Sequence, residues 1–184
     1  AYPIRWSDAA HKRLARSPEK KVAKQSVQGF STATALAVLL NDHGLGFRPS
    51  RTPSGSLELL IEAPENAADV WPVGWPLKMP RQKAAPNLFK LQQVFFDDLP
   101  LLEILSKGGQ SAQVPILVDY AELERQGTDW SEIKITYLPR QATWHTVMKD
   151  VLSKAKLTFD LWQDEAGRPF LYVTSIKSKR TAPK

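Results

Sequence analysis

The chain has 184 residues, of which 42% are apolar and 24% charged, with a formal net charge of +6 and no cysteine. That size allows one ordinary domain or two small ones, each able to bury a core without staples. The lack of cysteine excludes a disulfide framework, a thiol nucleophile and any thiolate metal site.

In chain order, residues 1–24 hold seven Lys/Arg against two Asp/Glu. They read as a basic segment over 1–20 with a thin-striped helix over 7–16, and Lys12, Arg13 and Arg16 are candidate contacts for nucleic acid, anionic lipid or an acidic protein surface. A weak first strand is expected over 21–27. Ser31 then stands as N-cap of a helix to about Asp42, with Ala33, Leu36, Ala37 and Leu40 on one face. Gly44 is placed to close that helix in a left-handed conformation. Leu45, Phe47 and Pro49 form a strand, RTPSGS a turn, and LELLIE (57–62) a further strand, which makes a βαββ unit over 21–63.

Residues 64–86 differ in kind. Pro64, Pro72, Pro76, Pro80 and Pro86 forbid a regular helix or an interior strand, so this is an extended linker. Trp71 and Trp75 are expected to pin it onto a folded unit and are candidate interaction residues. From 87 onward order returns: a strand over 91–96 and a helix after Asp97-Asp98, with the two acids at its positive end and Gly108-Gly109 at its close. A short strand over 114–118, a single helical turn over 121–126 and an alternating strand at Ile133, Ile135 and Tyr137 follow. A helix capped by Thr143 carries Trp144, Met148, Val151 and Leu152 inward. Two strands joined by the Asp164–Gly167 turn close the sheet. Residues 177–184 form a second basic tail, with Lys177, Lys179 and Arg180 as candidate contacts. The remaining chain is slightly acidic, so the positive charge belongs to the ends.

Two stretches 112 positions apart align without gaps. STATALAVLLNDHGLGF (31–47) and TWHTVMKDVLSKAKLTF (143–159) place Thr34 on Thr146, Leu40 on Leu152, Leu45 on Leu157 and Phe47 on Phe159. Each reads as a capped amphipathic helix, a break and an alternating strand. The expected class is therefore α+β: repeated βαβ-type units, small mixed sheets each covered on one face by helices.

The phrases QVFFDDLPLLEIL, VPILVDYAEL, IKITYLPRQATWHTVMKDVLSKAKLTFDLW and GRPFLYVTS, within 90–175, carry a family pattern. This stretch resembles the short N-terminal domain of secretins and TonB-dependent receptors, a small periplasmic α/β module. It also resembles exported planctomycete proteins with a VWPVGWP-like linker before such a module. The resemblance implies a βαββαββ domain over 87–176 that docks or forms rings, with no catalytic residues to carry over.

Catalytic motifs are sparse. His11, His43 and His145 show no H-x-x-x-H spacing for a metal. There is no G-x-S-x-G elbow and no phosphate-binding G-x-x-x-x-G-K-[ST]. Neither the G-x-x-G loop of a KH domain nor an RRM aromatic signature occurs. Trp144 belongs to a core face, whereas Trp6, Trp71, Trp75, Trp130 and Trp162 leave open a stacking platform for a glycan or peptide. No run of apolar residues approaches the roughly 20 that a membrane-spanning helix needs. The opening Ala1 in place of methionine predicts a trimmed or processed N-terminus.

The expected function is a non-enzymatic interaction or scaffold module of the periplasm or cell envelope, with no cofactor. Its partner would be an envelope-associated protein or a second copy, meeting exposed sheet edges and the proline–tryptophan linker. The alternative is a nucleic-acid-associated protein, cytoplasmic, that binds non-specifically through its basic ends.

Overall fold

Ile4–Trp6 form the first strand, β1, in a segment whose composition reads as a basic tail. The computed structural model describes residues 2–15, 23, 25–64, 69–125, 127 and 132–176. It divides into two compact units, Ala1–Val73 and Gly74–Lys184. In the first unit, β1 is followed by α1 (Asp8–Ala15), α2 (Thr32–Asn41), β2 (Gly46–Arg51) and β3 (Leu57–Glu62). β3 lies in the centre, parallel to β1 with Ile4 opposite Leu59, and antiparallel to β2 with Phe47 opposite Ile61. Gly44 takes φ 65° and donates its N–H to the Asn41 carbonyl, ending α2 as its position predicts.

The strand expected over 21–27 does not form at residues 25–27. Lys21, Val22 and Lys24 lie outside the described residues. Ile4 and Trp6 alternate with Arg5 and can use the pleat, whereas Val27 has no alternating partner nearby.

The second unit runs β4 (Trp75–Pro76), α3 (Arg81–Ala84), a 3₁₀ turn (Pro86–Phe89), β5 (Leu91–Pro100), α4 (Leu101–Ala112), β6 (Ile116–Val118), α5 (Tyr120–Arg125), β7 (Lys134–Thr143), α6 (Trp144–Lys154), β8 (Leu157–Gln163) and β9 (Pro169–Ser175). A mixed sheet of order β4-β8-β9-β6 and an antiparallel β5-β7 ribbon share one core. Ile104, Val147, Met148 and Val151 are wholly buried there. Each such side chain contributes about 1.5–3 kcal/mol by leaving water. Thr143 caps α6 as its spacing predicts, accepting from the Thr146 N–H at 3.2 Å. The chain is thus α+β, with helices packed against small sheets.

Three local expectations need correction. Gly108-Gly109 does not end the helix: α4 continues to Ala112 and closes on Gln113 at φ 54°. Gly108 is there because a Cβ would collide with the Met148 methyl and stand 2.9 Å from Trp144. Asp97-Asp98 does not cap α4, because β5 runs through both residues to Pro100. They form a bulge instead: Phe96 faces Tyr137 and Leu99 faces Ile135, so β5 carries one extra residue. Asp98 absorbs it at φ 45°, donating its N–H to Thr136 Oγ1 while its carboxylate accepts from Lys134 Nζ at 2.7 Å. Finally, the proline-dense stretch holds the short helix α3 between Pro80 and Pro86. Proline ahead of a first turn leaves that turn's N–H groups intact.

The pairings of the two mixed sheets share one numbering offset. Adding 112 to Ile4↔Leu59, Arg5↔Leu60 and Trp6↔Ile61 returns Ile116↔Leu171, Leu117↔Tyr172 and Val118↔Val173. The same shift carries Phe47↔Ile61 onto Phe159↔Val173. It holds for the loops too. The Leu59 N–H meets the Pro3 carbonyl and the Leu171 N–H the Pro115 carbonyl, both at 2.9 Å. The Ala10 N–H meets Ser7 Oγ as the Glu122 N–H meets Asp119 Oδ1. Gly55 and Gly167, at φ 85° and 79°, turn the matching hairpins.

Candidate docking surfaces

The β5-β7 ribbon has an inner and an outer face, set by strand alternation. Val94, Phe96, Ile135 and Tyr137 point into the core. Phe95 and Leu138 point out, 55% and 74% exposed. They lie near each other because the ribbon bulges a second time: Val94 faces Arg140 and Phe96 faces Tyr137, so Leu138 and Pro139 together oppose Phe95. In a two-stranded ribbon each strand pairs on one side only, so among the described residues no further strand pairs with the outer edges of β5 and β7. Leu91, 70% exposed, extends the apolar surface toward the start of β5.

Beside Leu138 is an open concavity of about 570 Å³, lined by Thr136, Tyr137, Leu138, Pro139, Arg140, Asp150, Ser153 and Lys154. Arg140 spans it, bonded to the Tyr137 hydroxyl and paired with Asp150 at 2.5 Å. The bond to Tyr137 raises the guanidinium pKa above its ordinary value; desolvation opposes it, and Asp150 adds a lesser rise. Ser153 Oγ donates to the Asp150 carbonyl at 2.8 Å. The Arg140–Asp150 pair ties a β7 side chain to α6 and places a cation at the rim of the apolar patch.

His145 sits between Phe89, stacked at 5.0 Å, and Phe159, edge-on at 5.5 Å. Burial pushes its imidazole below the usual value, and the positive charges of Arg81 and Lys149 push the same way. It acts as an aromatic spacer between the two rings. Among the described residues no group of three or more His, Cys, Asp or Glu converges as a metal site, and no helix is long and apolar enough to cross a membrane.

The residues singled out in sequence are dispersed. Trp71 belongs to the first unit, where its ring stacks on Phe47 at 5.7 Å and its backbone N–H donates to the Phe47 carbonyl. Trp75 belongs to the second, where it pairs with Gln163 on the outer side of β8. Both are half-buried. Trp162, considered as a platform, is buried and stacked on Tyr172 at 4.6 Å. Lys12 and Arg13 lie on α1, Lys12 exposed and Arg13 with its guanidinium close against Gly44. Arg16, Trp130, Lys177, Lys179 and Arg180 lie outside the described residues. Sequence reading missed Phe95 and Leu138. The consecutive aromatics Phe95-Phe96 were the available signal, since neighbouring strand residues face opposite ways.

No protein family, curated protein or solved structure matches the chain.

Proposed function

We propose that this chain is a non-enzymatic docking module of the cell envelope, acting by protein–protein contact in the manner of the short N-terminal domains of secretins and TonB-dependent receptors. One observation carries the reading: the β5-β7 ribbon presents Phe95, Leu138 and Leu91 outward beside strand edges that pair with no further strand among the described residues. A strand added to such an edge gains main-chain hydrogen bonds, while apolar side chains on the exposed face supply specificity. The bulges and the Lys134–Asp98 ion pair keep the ribbon from continuing indiscriminately into other sheets. The order of strands and helices from β5 to β9 supports the family likeness.

The test is photo-cross-linking in native cells from positions 95 and 138, with Lys149 on the outer side of α6 as control. Envelope adducts from the first two positions and none from the third are expected. A cytoplasmic protein without adducts, or turnover of a small substrate abolished by a point mutation, would overturn the reading.

A further inference from the structure

The common offset of 112 makes the two units comparable residue by residue. In the second unit, α4 lies across a set of apolar side chains. Its Gly108 is against Met148 and Trp144, and its Gly109 against Ile116 and the Val114 carbonyl. Leu101, Ile104 and Leu105, on the same helix, enter the core beside Val147 and Val151. Two adjacent glycines at the point of closest approach let the α4 backbone settle onto the β6 strand and α6 together.

In the first unit most counterparts of those residues are also apolar but less covered, the exception being Thr32, which stands at the Trp144 position and is exposed. Val114 is 3% exposed and its counterpart Tyr2 is 65% exposed; the counterpart of Ile116, Ile4, is 55% exposed. Val147, Met148 and Val151 are wholly buried, whereas Ala35, Leu36 and Leu39 are only partly buried. Leu171 is 1% exposed and Leu59, paired with Ile4, is only partly buried. The first unit therefore carries an α4-type seat with no α4 on it among the described residues. The chain cannot fill it with α4 itself, whose apolar side is used in its own unit, and a second copy has the same helix buried in the same way.

We infer that the face formed by Tyr2, Ile4, Leu36, Leu39 and Leu59 is a docking seat for an amphipathic α-helix of a partner protein. That helix resembles α4: large aliphatic residues at three- and four-residue spacing, then a step of two small residues that admits close approach to Ile4 and Leu36. Helix-in-groove recognition of this kind reads i, i+3, i+4 and i+7 anchors. The inference rests on the docking-module reading and adds to it the seat and the kind of helix it takes.

The experiment titrates the full chain with a fluorescent peptide of sequence Leu101–Ala112. The peptide is stapled across Glu103 and Lys107, whose i,i+4 ion pair marks the exposed side of α4. Saturable binding is expected, weakened at least tenfold by Ile4→Asp and by Leu36→Asp and unchanged by Leu138→Asp. Ile4 is an exposed edge residue, so Ile4→Asp tests the seat even where Leu36→Asp disturbs folding. No saturable binding, or binding indifferent to Ile4→Asp, would overturn the inference. So would sedimentation showing a dimer that Ile4→Asp returns to monomer, since a second copy would then occupy the seat. So would cross-links from Tyr2 to polypeptide joined upstream of Ala1. Failure here leaves the cross-links from Phe95 and Leu138 standing, whereas an enzymatic turnover would end both readings.

Discussion

α2 and α6 face the same kind of sheet with different cover, and the contrast shows how one pattern reaches two degrees of burial. α6 brings Trp144, Val147, Met148, Val151 and Leu152 to the core, all nearly or wholly buried. α2 brings Ala37, Val38 and Leu40 inward but leaves Ala35, Leu36 and Leu39 only partly buried. The difference is not in the strands, whose registers agree position for position. It lies in α4, which closes one side of the second unit and has no equivalent among the described residues of the first. A helix–sheet unit of this size is thus held by its sheet and finished by whatever helix is laid over it.

The largest expected effect separates Met148 from Leu36. Met148→Ala should cost about 2–5 kcal/mol and Leu36→Ala about 1 kcal/mol, because only the buried position leaves a cavity. Chemical denaturation with a probe in each unit measures both, and equal losses would erase the contrast.

A second comparison concerns the matching hairpins. Asp164, 2% exposed, accepts from the Ala166 N–H at 2.9 Å, the Arg168 N–H at 2.8 Å and Arg168 Nε at 2.9 Å. Thr52, its counterpart, accepts from the Ser56 N–H at 3.1 Å. Asp164→Ala should destabilise by about 2–3 kcal/mol and Thr52→Ala by about 1 kcal/mol or less, since the first strands three donors, two of them backbone, in a half-buried turn. Amide hydrogen exchange across 164–168 and 52–56 reads the difference locally.

The smallest effect is the pH dependence of the second unit. The pKa of His145 is lowered from 6.5 in the folded chain, so the unfolded chain binds more protons around and below that pH. Stability is then complete above about pH 6.5 and falls as the pH drops through that value toward the folded pKa. His145→Phe, seated between two phenylalanines, should flatten this part of the profile in thermal melts from pH 8 to 5. An unchanged slope would assign it to other groups.

Much of the fold was legible. The helices at 31–42 and from 143, the Gly44 stop, the Thr143 cap and the order of elements after 87 follow from periodicity and cap chemistry, which act within a few residues. The α4 terminus was misread because Gly108-Gly109 looks like a stop, when its use is contact with Met148 and Trp144. β1 was missed because three residues carry no period strong enough to outweigh the basic charge around them. Asp97-Asp98 was read as a cap because a bulge depends on the register of the facing strand, which is not local information. The docking surfaces were hardly legible, since exposure follows from neighbours distant in sequence.

By itself the sequence determined the α+β class, the helices at 31–42 and from 143 with the Gly44 stop and the Thr143 cap, and a repeating spacing of 112 residues, because hydrophobic period and capping are properties of short stretches. Only the tertiary structure decided which of two similar helices is covered, which aromatic of Phe95-Phe96 faces out, and where the ribbon bulges. Those depend on what packs against each element, and burial is a property of pairs of surfaces that the order of residues along one stretch does not contain.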